Sequence, residues 1–230
     1  MLRTLVICTL IMLLRCLSPA QTQCSAEAKV LISPEQTKAA VASLNAEKET
    51  GGQVYLFDTD ALDLLSQGVI VRLRQGFSPD LTVKVRPPLG KEFLGSSDDH
   101  EKFKCEVDIV GGEEQKSYSI QRKLAGQQVP ETGAAILEML SASQKDLLKQ
   151  ARISIDWKLV NRIATIEATT WRVRAQPPLN PVVLELWQWP SGKALELSVK
   201  ADAATGLSFV YTVAATRDVQ RAIVGPTTTV

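Results

Sequence analysis

The chain has 230 residues, 45% of them hydrophobic and 22% charged, with a formal net charge of +1. That length and balance fit one large ordered domain, or a domain with additions, and leave out a disordered chain. A net charge so near zero gives no positive excess for non-specific binding to nucleic acid or a membrane surface.

At the N-terminus, Arg3 precedes the apolar run LVICTLIMLL, and small residues come next at Ser18-Pro19-Ala20. This is the layout of a secretory signal cleaved near Ala20, and the run is too short for a comfortable membrane span. Residues 1–20 are therefore set apart from 21–230. A secreted or periplasmic location is expected, without a stable membrane anchor. Removing Arg3 and Arg15 lowers Lys+Arg from 26 to 24 against 25 acidic residues, a net charge of about −1. Cys24 and Cys105 remain. An even number in an oxidising compartment leaves two readings open, a disulfide between them or two small buried thiols.

CSAEAKVLI (24–32) alternates as a first strand, with Ser25, Glu27 and Lys29 on one face and Ala26, Ala28 and Val30 on the other. Ser33-Pro34-Glu35-Gln36 then predicts a helix over 34–47. Ser33 is read as its cap, Pro34 as its first position and Gln36 as the partner in a capping box, with a stop near Gly51-Gly52. VYLFDT (54–59) is extended and leads through a short LDLL turn into two basic strands. In the first, Val71 and Leu73 oppose Arg72 and Arg74. In the second, Leu81, Val83 and Val85 oppose Thr82, Lys84 and Arg86. Gly76-Phe77-Ser78-Pro79 between them has the chemistry of a hairpin connection.

Residues 89–101 read as a mobile surface loop, and Phe103 to Val110 as a strand with Lys104, Glu106 and Asp108 on one face. Residues 111–131 read as polar and irregular. A helical region is expected to about Ala151, broken near Ser143, with Ile136, Leu137, Leu140, Leu147 and Leu148 forming a face that covers a sheet. Strands are expected over 159–174, 182–189 and 193–200, the last two joined by a Pro190-Ser191-Gly192 turn. Residues 201–230 form a C-terminal extension whose elements the pattern does not assign.

Several strands thus pair a charged face with a small or apolar one. If the helices cover the apolar faces, the charged ones converge inside a barrel. Its lumen holds Lys29, Arg72, Arg74, Lys84, Arg86, Lys104 and Lys200 with Glu27, Glu106, Asp108 and Glu196. Such a lumen must stay wet or hold ions, since unpaired buried charge is too costly.

VYLFDT, the LDLL turn and the VRLR and LTVKVR strands resemble the CYTH domain, or triphosphate tunnel metalloenzyme, family. The specific part is 53–88, within a looser likeness over 24–200. Glu27-Ala28-Lys29 resembles part of the family's opening Glu-x-Glu-x-Lys, with Ser25 in place of its first glutamate. LELS resembles the closing Glu-x-Glu, with Ser198 in place of its second. The resemblance implies an α+β fold, an eight-stranded antiparallel β-barrel forming a tunnel with a charged lumen and flanking helices. It implies Arg72, Arg74, Lys84, Arg86 and Lys200 as substrate-binding residues, and Glu27, Glu106, Glu185 and Glu196 as ligands of Mg2+ or Mn2+. Glu27 and Lys29 are its catalytic candidates. Arg162, Arg172 and Arg174 are further basic candidates, without a fixed register.

The function that this resemblance implies is binding, or metal-dependent hydrolysis, of inorganic tripolyphosphate or a nucleoside triphosphate. The alternative is a secreted, non-catalytic module that binds polyphosphate or an organophosphate. The loss of two carboxylates to Ser25 and Ser198 leaves both open. Arg72→Ala or Lys84→Ala is expected to abolish phosphate binding with the fold intact. His100 is the only histidine and lies in a Gly/Ser/Asp-rich stretch, which argues against a Ser-His-Asp triad or a histidine metal site. No Gly-rich Walker loop is present. Trp187 and Trp189 read as core or tunnel-rim packing in preference to stacking on a nucleobase.

Overall fold

Alternating side chains on nine strands decide the architecture. The computed structural model describes residues 24–76, 78–86, 99–110, 113–126, 128–174 and 182–201. The expected signal segment, most of the expected 89–101 loop and the expected extension after 201 lie outside the described residues. In chain order the strands are β1 Ser25–Ile32, β2 Glu47–Asp58, β3 Val69–Gln75, β4 Asp80–Val85, β5 Glu101–Val110, β6 Glu113–Lys123, β7 Asn161–Val173, β8 Val182–Trp189 and β9 Gly192–Ala201. The helices are α1 Thr37–Ser43, the single turn α2 Asp63–Ser66, α3 Gly133–Met139 and α4 Ala142–Gln150, with a 3-10 turn at Pro34–Gln36.

The strands close into a barrel in the order β1-β5-β6-β4-β3-β2-β7-β8-β9. All pairings are antiparallel except β1 with β5, which is parallel. The expected tunnel is therefore a mixed nine-stranded barrel instead of an antiparallel eight-stranded one. The added strand is β6, in the stretch expected to be irregular. Its lumen side carries Ser117 and Ser119, and only Tyr118 and Ile120 give the other side apolar character, so no hydrophobic alternation marks it. The β3–β4 hairpin forms as expected, with Arg72 opposite Thr82 and Ile70 opposite Lys84.

The apolar faces point outward and are covered. Val71, Leu73, Leu81, Val83 and Ile120 pack against Ile136 of α3, Leu147 of α4 and Leu140 between them. On the other side, Leu184, Leu195 and Leu197 pack against Ala40 of α1. The break between α3 and α4 falls at Leu140-Ser141, two residues before the expected one. There Ser141 and Gln144 complete the capping box. Fully buried Gln144 also donates from Nε2 to the carbonyls of Leu81 and Ile120, tying α4 to β4 and β6.

The helix expected over 34–47 is shorter. Pro34 does open the turn, but Ser33 makes no cap bond and its hydroxyl goes to Glu35 Oε2. Gly51 and Gly52 do not end a helix, because they lie inside β2. Gly76 approaches them so closely that a Cβ there would come within 2.7 Å of Gly52 Cα, and its φ of +83° also favours glycine.

Candidate functional site

The VYLFDT and LDLL segments build one wall of the site. Asp58 is buried at the end of β2, where Oδ1 accepts from the amides of Thr59 and Leu64 and Oδ2 from that of Leu65. Thr59 and Asp63 add a reciprocal pair of bonds. A carboxylate that satisfies the free amides of a helix start fixes that turn. Here it fixes α2, and Leu65 comes to line the lumen.

The lumen encloses a cavity of about 420 Å³. Arg72, Arg74, Lys84 and Arg86 reach it from the β3–β4 side, and Lys29, Lys104 and Lys200 from β1, β5 and β9. Glu27, Glu106, Asp108, Glu185 and Glu196 face them. Every site candidate drawn from the resemblance lines this cavity, except the three arginines of 162–174. Arg162 pairs with Glu131, Arg172 with Glu49 and Arg174 with Glu47, and none of these six residues lines the cavity. On one face of β7 the alternating residues Ala164, Ile166 and Ala168 are small or apolar. Ile166 and Ala168 join Val54, Leu56 and Trp187 in an apolar patch, of which Leu56 and Trp187 also line the cavity. Trp189 is part-exposed beside the β8–β9 turn.

The charges are unequally partnered. Lys84 Nζ lies 2.6 Å from Asp108 and 3.8 Å from Glu106. Lys200 lies 3.1 Å from Glu106 and 3.8 Å from Glu27. Lys29 lies 3.7 Å from Asp108 and 3.6 Å from Glu196. Arg74 is bound through Nε and Nη2 to Asp80, each at 2.6 Å, and Asp80 is fully buried and also accepts from Thr82. Sequence reasoning missed Asp80. Its only signal is a carboxylate opening the second basic strand, opposite Arg74 in the hairpin register. Arg72, Arg86 and Lys104 have no ion pair among the described residues, and the Nε groups of Arg72 and Arg86 are buried without a hydrogen-bond acceptor.

The titration of these groups follows from that map. Burial and the neighbouring Arg74 lower the Arg72 pKa. Burial, with Lys200 adding to it, lowers that of Lys104 to about 8. Burial alone would lower Lys29, but Glu27, Glu196 and Asp108 outweigh it and raise its pKa. Burial opposes ionisation of Glu106, yet Lys200 and Lys84 hold its carboxyl below the usual range. Glu196 is pushed up by burial, with Glu27 and Glu185 adding repulsion that Lys29 only partly offsets.

The donor set for a divalent ion is chemically apt, since carboxylate oxygens suit Mg2+ and Mn2+. Its arrangement fits poorly. No three acidic, histidine or cysteine side chains converge as a metal site among the described residues. Four of the five lumen carboxylates carry a lysine within 4 Å. Among the described residues Glu185 alone lacks one, and it stands directly opposite Glu196 in the β8–β9 register. Ser25 donates to the Cys105 carbonyl, and Ser198 stands opposite Lys29. The disulfide left open by the sequence forms between Cys24 and Cys105 and fastens the start of β1 to β5.

No protein-family model matches the sequence, and a search of curated proteins returns no match. Solved structures do match. One is a candidate adenylate cyclase of Bacillus halodurans, 15% identical, with a TM-score of 0.55 over 84% of this chain and 88% of that one. Another is the Hippeastrum protein HpAC1, a candidate adenylyl cyclase described as revealing a dominant triphosphatase activity. It is 18% identical, with a TM-score of 0.58 over 86% of this chain and 87% of that one. At such identities the likeness establishes the fold, and the chain has the tunnel-barrel fold of the CYTH-like proteins that its VRLR and LTVKVR strands resemble.

Proposed function

We propose that the tunnel binds a linear phosphate-rich anion, of which inorganic tripolyphosphate, short polyphosphate and the triphosphate of a nucleotide are the class. The observation that carries this is the cavity itself. Seven cationic side chains (Lys29, Arg72, Arg74, Lys84, Arg86, Lys104, Lys200) face five carboxylates, and Arg72, Arg86 and Lys104 have no ion pair among the described residues. Guanidinium forks match phosphate oxygens in pairs, and a low-dielectric wall strengthens each contact.

Metal-dependent hydrolysis is the second reading. The opposed pair Glu185 and Glu196 favours it, as does the triphosphatase activity described for the Hippeastrum neighbour. In that reading Glu27, Glu106, Glu185 and Glu196 hold Mg2+ or Mn2+, which supplies charge for phosphoryl transfer, and Lys29 contacts phosphate. The Cys24–Cys105 bond supports export to an oxidising compartment, as the N-terminal segment leads one to expect. Calorimetric titration of the purified chain lacking residues 1–20 with tripolyphosphate, then phosphate release on the same samples, tests these readings. Binding with release gives a hydrolase, and binding without release a carrier or sensor. Absence of binding under all metal conditions refutes the function.

A further inference from the structure

In this lumen four of the five carboxylates act as counterions of lysines, Glu185 being the exception among the described residues. Asp108 receives Lys84 and Lys29, Glu106 receives Lys200 and Lys84, Glu27 receives Lys200, and Glu196 receives Lys29. A divalent cation needs several hard oxygens at once, and here it would have to displace ammonium groups that already hold them. Neither position that could add an oxygen charge does so, since Ser25 is bonded to a backbone carbonyl and Ser198 is neutral. The buried Nε donors of Arg72 and Arg86, in contrast, lack acceptors, and Lys104 lines the same cavity without an ion pair among the described residues. Buried donors without partners are uncommon, and a ligand acceptor would satisfy them. An anion seated on these three cations leaves the lysine–carboxylate pairs intact.

Resting on the function proposed for this tunnel, we infer that it takes its phosphate-rich anion free of divalent metal, on Arg72, Arg86 and Lys104, with the lysine–carboxylate network standing where metal ions would otherwise sit. A magnesium complex is a poorer ligand. Its oxygens are partly neutralised, and its hydrated cation would meet Lys29, Lys84 and Lys200.

Calorimetric titration of the wild-type chain with tripolyphosphate, once in EDTA and once in excess MgCl2, tests this. Mn2+ paramagnetic resonance, with and without protein, accompanies it. The expected result is binding in EDTA that weakens at least tenfold in Mg2+, with a free Mn2+ signal that the protein does not diminish. Lys104→Gln should weaken binding in EDTA about tenfold at unchanged Tm. Binding that is equal or tighter in Mg2+, or Mn2+ captured by the protein, overturns the metal-free inference and leaves the tunnel as an anion site. An unaltered affinity in Lys104→Gln overturns the assigned seat. Absence of binding in both media overturns the proposed function, and this inference falls with it.

Discussion

Lys84 and Arg72 line one cavity, and the sequence alone leads one to expect the same effect from removing either, but their partners differ. Lys84→Ala deletes the ammonium 2.6 Å from Asp108, whose side chain is 7% exposed, and 3.8 Å from Glu106. Breaking a buried pair from one side costs about 3–5 kcal/mol. Lys29 at 3.7 Å from Asp108 and Lys200 at 3.1 Å from Glu106 remain and offset part of that, leaving about 2–3 kcal/mol. For a chain of this length each kcal/mol lowers Tm by about 2–4 °C, so the expected loss is about 4–12 °C. Arg72→Met keeps most of the apolar stem and removes a charge crowded by burial and Arg74, with no ion pair lost. Its stability should change by less than about 1 kcal/mol, while tripolyphosphate affinity is lost. Urea denaturation and calorimetric titration of both variants, with near-UV circular dichroism as the fold control, provide the measurements. A Lys84→Ala protein as stable as the parent would refute the reasoning. So would an Arg72→Met protein weakened by more than about 2 kcal/mol.

The same map of partners sets four more outcomes. Because Lys104 has a pKa of about 8 in the free tunnel and an adjoining anion favours its charged form, tripolyphosphate binding at pH 8–9 should take up a proton. Calorimetry in buffers of different ionisation enthalpy reads that uptake. The same shift makes the unliganded fold gain stability from about pH 8 toward 10.5. In that window the unfolded chain keeps a proton that the folded chain has released, and a urea midpoint that falls there contradicts the assignment. Ser198→Glu adds a carboxylate beside Glu196 and opposite Lys29, and should produce Mn2+ binding visible by paramagnetic resonance. Asp58→Ala strips acceptors from three amides and should cost roughly 2–3 kcal/mol in urea titration, since unsatisfied buried donors cost about 1–3 kcal/mol each and water reaches part of the turn.

The inside and outside of this barrel could be read from the chain because alternation is strong where one face is aliphatic. Leu73, Val83, Leu195 and Leu197 alternate cleanly with Arg74, Lys84, Glu196 and Ser198. β6 escaped notice because both its faces contain polar groups and only Tyr118 and Ile120 repeat at the strand period. The roles of the charges were not legible for a different reason. Period fixes the face on which a side chain sits, whereas partner choice depends on strand order and register. Nothing in the local sequence says that Lys84 meets Asp108 over the intervening β6, or that Arg162 bonds to Glu131 outside the tunnel. The same limit applies to Gly51 and Gly52, which read locally as a helix stop but accommodate Gly76.

The first strand has two neighbours that reach it at different times. β5 lies within about the first half of the chain, while β9 ends at Ala201, so the β1–β9 ladder cannot form until almost the whole described barrel has been made. Ring closure is therefore a late event with high contact order, the kind that slows folding. The Cys24–Cys105 bond spans 81 residues and can form as soon as β5 is available. Oxidation would then hold β1 in place beside β5 while β7, β8 and β9 are added. The last step becomes the docking of one hairpin edge onto a strand already fixed, with less chain entropy left to lose.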